Sequence, residues 1–225
     1  MAGRIAFFDL DRTLIRRNSA TLWVRFELAA GRMSWCYALH AFSWIMRYNL
    51  VAVDLGEPIR RGAVALAGQR EADMRERVQE FYAALIRPLY RPGARAAVHA
   101  HRSAGDRLVL LTSSSNYMSE LVCGELGLDG YVCNRLEVDP AGCYTGQACE
   151  PLCFGAGKVV LAERYAATVG GSLGEATFYT DSHSDLPMLE AVGYPVAVHP
   201  DPRLRRLARQ RRWPTVNWEQ ASHGA

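Results

Sequence analysis

Lysine is almost missing from this chain: of 26 lysines and arginines, 25 are arginine and Lys158 stands alone. Paired cysteines are missing as well. Cys36, Cys123, Cys133, Cys143, Cys149 and Cys153 include no CxxC spacing, and intervals of ten, six and four between the last four fit no zinc pattern. The thiols are therefore expected to be reduced, as in a cytoplasmic protein. No run of ~20 nearly uncharged apolar residues is present to span a bilayer. The most apolar stretch, Trp35 to Val53, carries His40, Arg47 and Asn49. Met1-Ala2-Gly3-Arg4 leads directly into an apolar strand pattern, so no secretory signal is expected. Nor does one charge dominate: a net charge of +3 gives no argument for a nucleic-acid partner. Internal repeats and low-complexity tracts are lacking.

What remains is the composition of an ordinary globular protein, 225 residues with 49% hydrophobic and 22% charged side chains. Short apolar runs at Arg4–Leu10, Arg107–Leu111, Ala176–Tyr179 and Pro195–Val198 read as buried strands. Between them Arg91–Arg102, Ser119–Leu126, Lys158–Val169 and Asp185–Ala191 carry helical patterns. This alternation predicts an α/β fold, a Rossmann-like parallel sheet with helices on both faces. In such sheets ligands sit beyond the carboxyl ends of the strands, and Asp9, Thr112 and Asp181 all fall there. Two departures break the rhythm. Tyr131–Val138 and Cys143–Gln147 flank Asp139-Pro140-Ala141-Gly142 and predict a β-hairpin. The interval from Ile15 to Leu89 has no strand pattern and reads as helices at Ala20–Ala30, Trp35–Asn49, Glu57–Ala67 and Glu71–Leu85. It is far too long for a connection and is expected to be an all-helical cap, residues 15–89, inserted in a core of residues 1–14 and 90–225.

Four stretches carry chemistry. Ile5-Ala6-Phe7-Phe8-Asp9-Leu10-Asp11 ends a strand on two carboxylates that repel unless a cation lies between them; an acidic strand-to-turn exit has the same look. Leu111-Thr112-Ser113-Ser114-Ser115-Asn116 delivers a hydroxyl at a strand tip ahead of a helix, which suits an anion seat or, at Ser115 or Asn116, a helix cap. Gly155-Ala156-Gly157-Lys158 places the lone lysine at a helix start, where a compact ammonium can neutralise a phosphate or crowded carboxylates; a surviving surface lysine is the alternative. Asp181-Ser182-His183-Ser184-Asp185 suits a metal ligand backed by a second carboxylate, and Asp185 also suits a helix N-terminus.

Taken in order, Asp9-Leu10-Asp11-Arg12-Thr13, Thr112-Ser113, Lys158 and Asp181-Ser182-His183-Ser184-Asp185 resemble the haloacid dehalogenase superfamily, subfamily IB, in its phosphoserine-phosphatase-like branch. The resemblance extends to Tyr144-Thr145-Gly146 and Pro195-Val196-Ala197-Val198-His199-Pro200-Asp201. It implies a phosphoric monoester hydrolase in which Asp9 is the nucleophile and Asp11 the general acid and base. Mg²⁺ would be held by Asp9, the Asp11 carbonyl and Asp181. Thr112, the Ser113 N–H and Lys158 would hold phosphate oxygens, with Asp185 and Thr13 supporting them. Two positions depart from the family pattern: Thr180 and Arg12 stand where glycine is common, which bears on local backbone geometry.

The ester itself is less legible. Where phosphoserine phosphatases place an early cap glutamate this chain has Asn18, a candidate substrate contact without charge. Trp23, Phe26, Trp35, Tyr37, Phe42, Trp44 and Tyr48 suit packing between cap helices or a homodimer contact, or else an apolar pocket for a lipid phosphate. Arg203, Arg205, Arg206, Arg209, Arg211 and Arg212 form a basic helix suited to solvent or to an anionic membrane surface. The leading expectation is a small-molecule phosphate ester as substrate. Transfer to an alcohol acceptor and an idle binding protein are the alternatives.

Overall fold

The computed structural model describes residues 4–36, 39 and 56–219. Its central strand β1, Ile5–Phe8, is buried along its whole length. Period-two alternation explains why an unbroken apolar run is needed there. Ala6 and Phe8 enter one hydrophobic cluster, and Ile5 and Phe7 enter another on the opposite face. Each phenylalanine so buried contributes about 1.5–3 kcal/mol.

Strands β2 (Arg107–Ser115), β3 (Gly130–Asn134), β6 (Thr177–Thr180), β7 (Tyr194–Val198) and β8 (Thr215–Val216) join β1 in the order β3-β2-β1-β6-β7-β8. The neighbouring pairs are parallel. The expected doubly wound α/β sheet is therefore present, and its order reverses at β1, where such folds bind ligands. One face is covered by α4 (Pro92–Ser103) and α5 (Asn116–Leu126) through Ala94, Val98, Met118 and Val122. The other is covered by α6 (Ala156–Thr168), α7 (Leu186–Ala191) and α8 (Pro202–Arg211) through Ala162, Met188, Leu204 and Ala208.

The sequence pattern misplaces several boundaries. The first arm of the expected hairpin is divided: Gly130–Asn134 leaves it to become the sheet-edge strand β3. Only β4 (Leu136–Val138) pairs antiparallel with β5 (Tyr144–Ala148). The turn prediction is right, because the Asp139 carboxylate accepts from the Ala141 and Cys143 N–H groups, 2.9 Å each. Strand β2 continues four residues past Leu111, and two-residue β8 is too short to show a pattern.

The interval after β1 is helical where described, with α1 (Ser19–Ala29), α2 (Gly56–Ala65) and α3 (Glu71–Phe81). Most of the expected Trp35–Asn49 helix, with Tyr37, Phe42, Trp44 and Tyr48, lies outside the described residues. Trp23 and Phe26 pack on Phe81, ring centroids 5.2 and 5.5 Å away, so these two serve helix packing. Glu27 is buried among these helices between Arg32 and Arg77, each 3.0 Å away. The hairpin leans on this block: Gly68 N–H donates to Tyr144 O and Tyr144 N–H to Gln69 O. On the basic helix α8, Leu204 and Ala208 face the core, and Arg211 pairs with Glu190 at 2.7 Å. Among the described residues no helix is long and apolar enough to cross a membrane.

Candidate active site

Strand register assembles the site. Phe8 lies opposite Leu110 on β2 and Tyr179 on β6, so Asp9, Leu111 and Thr180 are level at the carboxyl edge, with Thr112 and Asp181 one residue beyond. Asp9 is anchored there by its N–H, which donates to Tyr179 O at 2.9 Å. The chain then makes a wide turn over Leu10–Leu14, closed by Leu14 N–H to Asp9 O at 3.4 Å and Ile15 N–H to Leu10 O at 3.1 Å. Arg12 sits inside it at φ 57°, the left-handed region that favours glycine, which accounts for the family's glycine at this point. The buried Arg91 guanidinium donates to Arg12 O at 3.1 Å and pairs with Glu219, holding the turn in place.

Lys158 arrives from the opposite face. A side chain at Gly157 would put its Cβ 2.0 Å from Leu152 O, so only glycine lets the loop cross the start of α6 and aim the next residue inward. Lys158 is 2% exposed, and its Nζ donates to Asp9 Oδ1 at 2.8 Å and Asp185 Oδ2 at 2.9 Å. Thr180 Oγ1 donates to the same Asp185 oxygen at 2.7 Å. The departure from glycine at Thr180 thus adds a hydroxyl to the chain Thr180–Asp185–Lys158–Asp9. Thr13 Oγ1 lies 3.5 Å from Asp9 Oδ2 and accepts from the Asp181 N–H at 3.0 Å. Asp181 is buried beside this pair.

Asp11 is turned away from Lys158 towards α1. Its Oδ1 accepts from Ser19 N–H at 2.8 Å and its Oδ2 from Asn18 Nδ2 at 3.2 Å. Asn18 also caps α1, accepting from Thr21 N–H at 2.9 Å. Thr112 is buried, with Oγ1 accepting from Ser114 N–H at 3.2 Å, while the Ser113 hydroxyl donates to Cys153 O at 2.8 Å. Among the described residues no hydrogen bond links Thr112 or Ser113 to Asp9 or Lys158. Ser115 caps α5.

Residues not singled out from the sequence hold these pieces together. Asn134, at the end of the unrecognised β3, donates to Ser113 O and accepts from Cys153 N–H, both at 2.7 Å. This clamp joins the tip of β2 to the loop before Lys158. Asp201 accepts from His183 N–H at 2.7 Å and from two N–H groups of α8, fixing the loop after Asp181. A polar residue closing an edge strand was the available signal for Asn134; nothing local marks its partners.

The site holds more negative charge than its lysine can balance. Burial drives the Asp9 carboxyl up to about 7 against the pull of Lys158, with Asp185 and Asp11 adding repulsion. Burial and then the Asp9 charge hold Asp181 well above the carboxylate range, against the pull of Arg12. Burial also raises Asp11, although the Ser19 N–H opposes it. Burial disfavours the Lys158 ammonium, yet Asp185 and Asp9 more than compensate and lift it above the ordinary lysine range.

These shifts set a pH dependence. A carboxyl raised on folding contributes stability that is complete below its unfolded value and lost as pH rises through its folded value. For Asp9 that window runs from 3.8 to about 7. Lys158, raised from 10.5, stays charged throughout it. With a chelator present, urea denaturation is expected to show stability falling by roughly 2–4 kcal/mol from Asp9 alone between pH 4 and 8. A curve that rises over this interval would contradict the charge surplus.

A doubly wound sheet whose carboxyl edge gathers aspartates around a buried lysine is the frame of a hydrolase. The family model for haloacid dehalogenase-like hydrolases matches residues 6–190, and the chain belongs to that family. Within it the chain is a phosphoserine-phosphatase-like phosphomonoesterase. It is 30% identical to a histidinol-phosphatase of Neisseria meningitidis over 96% of this chain and 99% of that protein. It is 34% identical to a phosphoserine phosphatase of Mycobacterium tuberculosis over 92% of this chain and 68% of that protein. A Bordetella pertussis protein of unknown function has a similar structure, with TM-score 0.86 and 30% identity over 96% of this chain and 99% of that one. A phospho-aspartyl intermediate analogue of phosphoserine phosphatase shares the fold, with TM-score 0.71 at 18% identity over 98% and 95% of the two chains.

Proposed function

We propose that the chain hydrolyses a small phosphorylated metabolite through an aspartyl-phosphate on Asp9, beneath a cap formed by residues 15–89. The observation that carries this reading is the sole lysine, buried and bonded at once to Asp9 and Asp185 at the sheet's carboxyl edge. Lys158 pulls the Asp9 carboxyl towards its ionised form against its burial, which favours attack of an Asp9 oxygen on phosphorus in line. Asp11, its carboxyl raised by burial, is suited to protonate the leaving alkoxide and later to take a proton from the hydrolytic water. Thr112 and the Ser113 N–H at the tip of β2 are assigned to the non-bridging oxygens. The cap assignment is supported by the two chain crossings, which run side by side as an Ile15–Tyr90 bridge with Arg16 N–H donating to Leu89 O.

The donor chemistry fits Mg²⁺. Asp9 and Asp181 are carboxylates in a site with surplus negative charge, and the Asp11 carbonyl lies beside them in sequence. Among the described residues no three acidic, histidine or cysteine side chains group to hold a metal alone. Phosphate and water oxygens must then complete the shell, as they commonly do for this ion. Bound Mg²⁺ would neutralise charge on the phosphoryl group. Phosphate release from an aryl phosphate is expected to stop in EDTA and return with Mg²⁺. A screen of phosphometabolites including phosphoserine, histidinol phosphate and lysophosphatidate then identifies the ester; silence across the screen in Mg²⁺ would refute the reading.

A further inference from the structure

Next to Asp11 lies an open cavity of about 460 Å³ walled largely by arginine: Arg12, Arg16, Arg17 and Arg25, with Asn18 and Thr21 among them. Two stretches of chain build it. One is the segment that follows the nucleophile's turn. The other is a single face of α1, since positions 18, 21 and 25 recur at helical spacing. The cavity adjoins the catalytic edge through Asp11. Arg12 directly follows Asp11, and Asn18, which lines the cavity, donates to Asp11 Oδ2 at 3.2 Å. The Asp11 carboxylate, the proposed proton donor to the leaving group, thus faces the side of the site on which these arginines lie.

The charge there is only partly met. Arg16 pairs with Glu219 at 2.8 Å, and Glu219 is shared with Arg91. None of the residues lining the cavity is acidic, and among the described residues no carboxylate pairs with Arg17 or Arg25. Guanidinium groups bind carboxylates and phosphates through paired, charge-assisted hydrogen bonds. An ammonium on the leaving group would instead be repelled.

Building on the phosphatase reading above, we infer that the substrate's leaving group carries an anionic group of its own, a carboxylate or a second phosphate, received by Arg17 and Arg25. A matched alkyl series tests this. Propyl phosphate, 3-phosphooxypropanoate, propane-1,3-diol bisphosphate and 3-aminopropyl phosphate differ only in the distal group. One or both anionic esters are expected to exceed propyl phosphate in kcat/KM by about ten-fold or more, the scale of one charge-assisted contact. The aminopropyl ester is expected to fall below it. Which anionic ester leads separates a carboxylate from a phosphate subsite.

In the double variant Arg17→Ala/Arg25→Ala the preference is expected to collapse towards one. Arg206→Ala, an exposed arginine on α8, removes charge elsewhere and is expected to retain it. Equal rates across the series, or a preference that survives the double variant, would overturn the anionic subsite while leaving the phosphatase intact. Equilibrium binding of the same esters to Asp9→Asn protein separates the two readings. A binding preference lost with Arg17 and Arg25, in a protein whose wild type releases no phosphate, keeps the subsite and rejects the reaction. Equal binding rejects the subsite.

Discussion

Replacing Asp9 by asparagine is expected to lower phosphate release by roughly 10⁴-fold or more while leaving the fold in place, because residues that act as nucleophiles account for losses of that order. The amide keeps the shape of the carboxylate, and its oxygen can still accept from Lys158 Nζ, which lies 2.8 Å from Asp9 Oδ1. It cannot form an acyl phosphate. Nor does it carry the charge whose burial pushes Asp9 up to about 7. The variant is therefore expected to show a flatter stability curve than the wild type as pH rises in chelator. Steady-state phosphate release and urea denaturation on one preparation check both halves. Appreciable turnover by the asparagine protein would remove the covalent route.

Lys158→Met is expected to be the most damaging single change to stability, costing about 3–5 kcal/mol, the usual penalty for removing one partner of a buried ion pair. Lys158 is 2% exposed and balances Asp9 and Asp185 together. Methionine fills similar space but leaves the two carboxylates with no counter-charge, so the loss is expected to grow as pH rises past 7. Adding Asp9→Asn should recover part of it, and the non-additivity of the double-mutant cycle measures the coupling. Strictly additive losses would show that the pair is not energetically linked. Arginine is a poor substitute, because its planar fork is larger than the fully enclosed ammonium.

The two residues that dominate these expectations were visible in different ways. Asp9 was legible from position, as the first carboxylate after an apolar strand. Lys158 stood out because the chain otherwise uses arginine. The main strands could be read because a sheet buried on both faces needs unbroken apolar runs, as in Ile5–Phe8. Gly130–Asn134 escaped because an edge strand is only half covered. Its sequence suited the neighbouring hairpin equally well, and only pairing with β2 distinguishes them. Thr180 departs from the glycine common at that position, but its reach to Asp185 depends on the turn at Asp181, which no local pattern specifies.

By itself the sequence determined the class of the fold, the order of the motifs and the residue types at the strand ends, since these follow from local periodicity and from side-chain chemistry. Tertiary structure decided the distances. It set which carboxylates share the ammonium, that Asp11 turns to Asn18 and Ser19, and that four arginines from a loop and a helix face line one open cavity. Such facts depend on strand register and on the entry angle of α1 and α6. Both are fixed by packing between segments far apart in the chain, which no local pattern encodes.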